Sequence, residues 1–241
     1  MSEVLLELRG VHTHIGVYHI LHGVDLQIPR GQLTMLLGRN GAGKTTTLRT
    51  IMGLWQASSG SIHFKGQDIS RLHTPHIAGL NIAYVPENMG IFSDLTVKEN
   101  MLLAARKANN MRQIDESRLQ WIFGLFPAVE KFWNHPAGKL SGGQKQMLAV
   151  SRAIIEPRDL LIIDEPSKGL APVMINNMID AFEQLKASGS TILLVEQNIH
   201  FAKRLGDSVA VMDDGRVVHA GSMQALAEDE ALQRSLLGLS L

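Results

Sequence analysis

Apolar and polar positions alternate at the start of the chain. Leu6, Leu8 and Val11, then Val24, Leu26 and Ile28, recur at or near a spacing of two, with breaks at Gly10, Gly16, Gly23 and Pro29-Arg30-Gly31. A period of two puts such residues on one face of a strand, so this stretch predicts short antiparallel strands. Residues 33–37 form a continuous apolar run around Thr34, the pattern of a strand buried on both faces. A Gly-rich turn follows, then a helix from Lys44 to about Met52. Residues 58–86 return to short strands and turns. From about 92 to 155 the period becomes helical: Thr96 and Glu99 form a capping box, and Leu119, Ile122, Phe123 and Phe126 fall at i, i+3, i+4 and i+7. Two further buried strands occupy 160–163 and 191–195. Between them Ile175, Met178, Ile179, Phe182 and Leu185 share one helix face, which Gly189 is placed to cap. Asp213-Asp214-Gly215-Arg216 is a hairpin signal, and 222–239 reads as short helices.

Strands alternating with helices predict an α/β fold with a mostly parallel sheet. The expected division is one domain: a core with an N-terminal antiparallel β subdomain over 1–91 and 156–241, and an inserted α-helical subdomain over 92–155.

Composition narrows the function classes. The chain has 241 residues, 23 Lys plus Arg against 23 Asp plus Glu, and no cysteine. A balanced charge lacks the basic excess of a nucleic-acid partner, and no disulfide framework is possible. The N-terminus lacks the basic and apolar regions of a signal peptide. No apolar run approaches the roughly 20 residues of a membrane span, so any membrane role is expected to come through partners.

Two segments carry chemistry. Gly38-Arg39-Asn40-Gly41-Ala42-Gly43-Lys44-Thr45, continued by Thr46, matches G-x-x-x-x-G-K-[ST] between a buried strand and a helix. The glycines let backbone N–H groups turn around phosphate oxygens, Lys44 supplies a point charge, and the Thr45 hydroxyl can ligate Mg²⁺. Leu160-Leu161-Ile162-Ile163-Asp164-Glu165 ends a buried strand on two carboxylates. There Asp164 is expected to hold Mg²⁺ and Glu165 to orient or deprotonate the attacking water.

Leu140-Ser141-Gly142-Gly143-Gln144 lies about 100 residues after the phosphate loop and about 20 before that strand. With it the whole chain resembles the ABC ATPases. The resemblance implies ATP and Mg²⁺ as cofactors and a head-to-tail dimer, in which Ser141, Gly142, Gly143 and Gln144 of one chain cover the ATP held by the other. Residues 164–172, 195–198 and 85–87 resemble the ATPases of branched-chain amino-acid importers, the shorter of the two ATPase types. That implies two permeases, a second and non-identical ATPase, a substrate-binding protein, and a place on the cytoplasmic face of the membrane. Urea and amide importers use close relatives. An exporter ATPase and a soluble, non-transport ATPase are further alternatives, and the intact Lys44, Asp164 and Glu165 argue against a degenerate, non-hydrolysing regulator.

Measured against the general ABC pattern, Glu87 stands where Gln is usual and would offer Mg²⁺ a carboxylate. Gln197 stands where His is usual; it can donate to the γ-phosphate but cannot titrate near neutrality, which leaves the base role to Glu165. Ile15 stands where an aromatic usually stacks on adenine, with Tyr18 and His14 nearby as substitutes. Ala171 replaces a frequent Asp. His200 is the next residue that could act as base, although a surface position is expected for it. His12, His14, His19 and His22 are read as surface residues rather than a metal set, and Met101, Met174 and Met178 as core. Met89, Ile91 and Phe92 are unexpectedly apolar for a loop and are expected to dock a permease helix.

Overall fold

The computed structural model describes residues 3–105, 110 and 113–238. Parts of the expected helical stretch, at 106–109 and 111–112, and residue 239 of the expected C-terminal helices lie outside the described residues.

The opening alternation builds two long strands, β1 (Val4–Ile15) and β2 (Tyr18–Pro29), rather than several short ones. Gly10 and Gly23 are absorbed as irregularities in their antiparallel register, with shifts between Leu8 and Val11 and between Val11 and His12. With β4 (Ala57–Phe64) and β5 (Gln67–Asp68) they form a sheet of order β2-β1-β4-β5.

The second sheet has six strands in the order β10-β9-β3-β8-β7-β6. It comprises β3 (Leu33–Gly38), β6 (Ile82–Val85), β7 (Leu160–Asp164), β8 (Ile192–Val195), β9 (Ser208–Asp213) and β10 (Arg216–Ser222). All its pairings are parallel except that of β9 with β10, the hairpin turned by Asp214-Gly215, both at positive φ.

Every residue of β3, β7 and β8 is buried, because each strand feeds a core on both faces. Leu36, Ile162, Leu193, Val195, Ala210 and Met212 face a core shared with α1 (Lys44–Ile51) and the antiparallel sheet. Met35, Leu161, Ile163, Leu194 and Val211 face the opposite core. That second core takes in Met178 and Phe182 of α7 (Pro172–Ala187) and Phe201 of α8 (Ile199–Leu205). It also takes in the helical segment: α3 (Val97–Ala104), α4 (Glu116–Leu125), α5 (Pro127–Lys131) and α6 (Gly142–Ile154). The helical block therefore shares its core with one face of the sheet. Thr34, the polar residue of β3, is matched by Ser208 across the ladder, hydroxyl to hydroxyl at 2.8 Å.

The capping box of α3 forms as its sequence implies: Thr96 Oγ1 accepts from Glu99 N–H, and the Glu99 carboxylate accepts from Thr96 N–H at 2.8 Å. A short helix, α2 (Thr74–Gly79), stands where only strands and turns are expected; Pro75 opens it and Ile77 is its one buried side chain. The chain closes with α9 (Met223–Glu228) and α10 (Glu230–Leu237).

Candidate nucleotide site

Four loops meet at the C-terminal ends of the parallel strands, where α/β sheets bind ligands. They follow β3, β6, β7 and β8, and they carry the phosphate loop, Glu87, Asp164-Glu165 and Glu196-Gln197.

The phosphate loop turns from β3 into α1. Gly38 has φ +145 and a Cβ on it would lie 2.3 Å from the carbonyl oxygen of Met212 in β9. Only glycine suits that position, so Gly38→Ala is expected to destabilise the protein by at least about 2 kcal/mol. Thermal melting of the variant checks this, and a midpoint within a degree of wild type would refute it. The hairpin of β9 and β10 braces the loop through Gly215 N–H to the Ala42 carbonyl, at 3.1 Å. Lys44, nearly buried, donates from Nζ to the carbonyls of Gly38 (2.8 Å) and Arg39 (3.1 Å). Burial lowers its pKa, opposed by the charges of Glu165, Asp164 and Glu196. Asn40 and Gly41 are exposed, Ala42 and Gly43 buried, and Thr45 and Thr46 half-buried. A cavity of about 280 Å³ opens beside the loop, lined by Gly38, Asn40 and Gln197 among others.

Thr45 Oγ1 donates to Asp164 Oδ1 at 3.2 Å. Asp164 is fully buried and its Oδ2 has no hydrogen-bond partner. Burial pushes its pKa up to about 6; the charges of Glu165 and Glu87 add to the rise, and the Thr45 hydrogen bond opposes it. A buried carboxylate oxygen without a donor, beside a hydroxyl, is a hard-oxygen set that fits Mg²⁺.

Glu165 sits at φ +48, so the chain kinks just after β7. Its Oε1 accepts from the Gln197 amide, and its Oε2 lies 3.4 Å from Lys168 Nζ. Lys168 Nζ also lies 2.5 Å from Glu87 Oε1. Glu87, Glu165 and Gln197 are therefore joined in one network through Lys168. Lys168 is easily passed over in sequence, where it is one more cation in a turn. Glu196 is a second residue of this kind. It is buried and accepts from Ser167 N–H and Oγ, both at 2.9 Å, and from the N–H groups of Gln197 and Asn198. Burial raises its pKa against those bonds. The signal that could have found it is a carboxylate immediately after a buried strand.

The other expected positions lie at the edges. Ile15 pairs with Tyr18 at the tip of the β1–β2 hairpin; Ile15 is half-buried and Tyr18 exposed. Leu21 of β2 packs over Gly43, so the hairpin overhangs the phosphate loop. His14 stacks on His19, with centroids 4.2 Å apart, and bonds Ser58. His12 and His22 contact His19 in turn, and His200 is exposed on α8. Met101 and Met178 are fully buried, and Met174 packs on the core. Of the three apolar loop residues, Phe92 is exposed, while Met89 and Ile91 pack in part against the core.

Ser141 caps α6 in a reciprocal box: its Oγ accepts from Gln144 N–H at 3.3 Å, and Gln144 Oε1 accepts from Ser141 N–H at 2.9 Å. Gly143 lies against Met174 and Leu170, and Gly142 is open to solvent. Among the described residues, no side-chain hydrogen bond of Ser141 or Gln144 reaches residues 38–45.

Known proteins resemble this chain in sequence and in fold. The pattern of the ABC transporter family matches residues 21–168. The high-affinity branched-chain amino acid transport ATP-binding protein BraG of Pseudomonas aeruginosa is 38% identical, over 97% of this chain and 100% of its own. A probable branched-chain amino acid transport ATP-binding protein, LivF of Archaeoglobus fulgidus, is 35% identical over 96% and 99%. A solved ATP-binding subunit of an ABC transporter superposes with a TM-score of 0.80 at 31% identity, covering 98% of this chain and 95% of that one. With the family pattern matched over residues 21–168 and BraG 38% identical over nearly the full length of the chain, this chain belongs to the ABC transporter family and is one of its nucleotide-binding ATPases.

Proposed function

We propose that the chain powers import of branched-chain amino acids by hydrolysing ATP for partner permeases. The observation that carries the hydrolytic part is the convergence of Lys44, Thr45, Asp164, Glu165 and Gln197 at one end of the sheet. BraG, a branched-chain amino acid transport ATP-binding protein, and LivF, a probable one, support the cargo.

In this reading the N–H groups of residues 38–45 and Lys44 hold the phosphates. Thr45 and Asp164 would hold Mg²⁺, with Glu87 offering the carboxylate oxygen that Lys168 does not engage. Held there, the ion would supply neutralisation of the phosphate charge. Gln197 donates to the γ-phosphate, and Glu165 accepts the proton of the attacking water. Ile15 gives the base an apolar contact.

No helix among the described residues is long and apolar enough to cross a membrane, so membrane attachment falls to the permeases, on the cytoplasmic face. A groove of about 350 Å³ lined by Leu54, Tyr84, Met89 and Ala153 is the seat proposed for a permease helix. Because the LSGGQ turn makes no described bond to its own phosphate loop, each catalytic site is assigned to two chains, the second being a non-identical ATPase. A substrate-binding protein completes the importer.

Two measurements test this reading. Cells lacking the chain should lose uptake of labelled leucine, isoleucine and valine, and should regain it from the wild-type gene but not from Lys44→Ala. Uptake that survives the deletion removes the cargo assignment. Subunit counting in the complex that co-purifies with the chain should find one copy beside a second ATPase, and two copies with no other ATPase would rule the heterodimer out.

A further inference from the structure

We propose that Lys168 is a positioning residue that restrains Glu165 and ties its release to movement of the segment carrying Glu87. This rests on Glu165 being the base and on the groove beside Met89 being the permease seat.

The geometry is that of one cation between two carboxylates. Strands β6 and β7 are neighbours, so the loops that leave them lie side by side. Glu87 comes from the first loop and Lys168 from the second. Lys168 Nζ sits 2.5 Å from Glu87 Oε1 but 3.4 Å from Glu165 Oε2. The other oxygen of Glu165 is taken by the Gln197 amide. A general base must turn a lone pair to the water it deprotonates. Here both oxygens of Glu165 face donors, so the carboxylate is restrained rather than poised.

The restraint is unequal. Lys168 holds Glu87 at hydrogen-bond distance and Glu165 only as a looser ion pair. If the loop after β6 moves, Lys168 follows the shorter contact and Glu165 Oε2 is uncovered. That loop is placed to move with a partner. Met89 lies two residues from Glu87, adopts φ +63, and lines the groove together with Gly90 at φ +59. An apolar helix entering the groove would contact Met89 as part of its lining. Both members of the pair are well exposed, 58% for Lys168 and 44% for Glu87, and ion pairs of that exposure add little to stability. Fold maintenance therefore does not account for the network, and its weakness suits a contact that must shift.

Three substitutions separate this role from a structural one. Turnover is measured in the complex that co-purifies with the full-length chain, at saturating ATP and Mg²⁺. Lys168→Met should raise kcat in the absence of transported substrate by about three- to tenfold, since a larger fraction of sites holds a free base, with KM for ATP unchanged. Glu87→Gln should act in the opposite direction, lowering kcat by about two- to fivefold, because Lys168 then falls back on Glu165. The double variant should behave as Lys168→Met, and Lys168→Arg should restore the wild-type response to substrate. Equal melting temperatures across the set show that folding is not being read. If Lys168→Met and Glu87→Gln both lower kcat, or if neither changes it, the proposal is overturned. Full turnover by Glu165→Gln in the same assay would instead overturn the assignment of the base beneath it.

Discussion

Glu165→Gln is expected to keep nucleotide affinity and lose nearly all turnover. The amide has the volume of the carboxylate and preserves the kinked turn at φ +48, so the phosphate loop, Lys44 and the Asp164–Thr45 contact remain as they are. What disappears is the carboxylate that faces the Gln197 amide; the neighbouring carboxylate, Glu196, is buried and engaged by Ser167 and by backbone N–H groups. General-base catalysis contributes about 10²–10⁴-fold, so kcat should fall by several hundredfold or more. Equilibrium binding of a fluorescent ATP analogue, measured beside phosphate release, separates the two effects. Near-normal release would move the base elsewhere, with His200 on α8 the next residue to test.

Asp164→Asn should abolish activity and yet make the nucleotide-free protein more stable at neutral pH. Burial lifts the pKa of Asp164 from the ordinary 3.8 to about 6, and Oδ2 has no donor to offset the loss of water. For an acid raised in this way, the folded state keeps its proton while the unfolded chain gives it up. Stability conferred by this group therefore falls as pH climbs from about 4 to about 6, and is flat above that. The lift corresponds to about 3 kcal/mol at pH 7. An amide in the same place still lacks one partner, which costs ~1–2 kcal/mol, so a net gain of about 1–2 kcal/mol remains. For a protein of this size that raises the melting midpoint by several degrees. The advantage should vanish below about pH 4 and should be offset in the wild type by Mg²⁺ with nucleotide. A variant no more stable than wild type at pH 7.5 would show that Asp164 is not strained in the empty site.

How much of this could be read from the chain depends on how local each feature is. The phosphate loop lies within eight consecutive residues, and the strand before it is a continuous apolar run in the same local stretch. The acidic end of β7 and the capping box of α3 are equally local, and both stand where they were expected. The Ser141–Gln144 box is just as local, since Ser-x-x-Gln is a capping pattern. The Lys168 network was out of reach. Glu87 and Lys168 are 81 positions apart, and they meet only because β6 and β7 are neighbours in the sheet, an order that no periodicity reveals. The histidine stack was hidden for a similar reason, its contacts being set by β1–β2 register. Strand length is less legible, because a glycine need not end a strand: backbone pairing carries β1 past Gly10 and β2 past Gly23. The helix α2 has one buried side chain and no apolar stripe to announce it.

The two cores on either side of the parallel sheet make the strand bearing Asp164 a matter of odd and even. Leu161 and Ile163 belong to one core, Leu160 and Ile162 to the other. Losing or gaining a single residue anywhere in that strand would exchange the two sets, and would also turn Asp164 away from Thr45. Substitution can vary the side chains of β7 within their volumes, but its length has no such latitude. Insertions that persist in descendants of this chain should therefore collect in the connections, at Gly16-Val17 between β1 and β2, or around Gly66 before β5, where an added residue shifts no parity and leaves the acid in register.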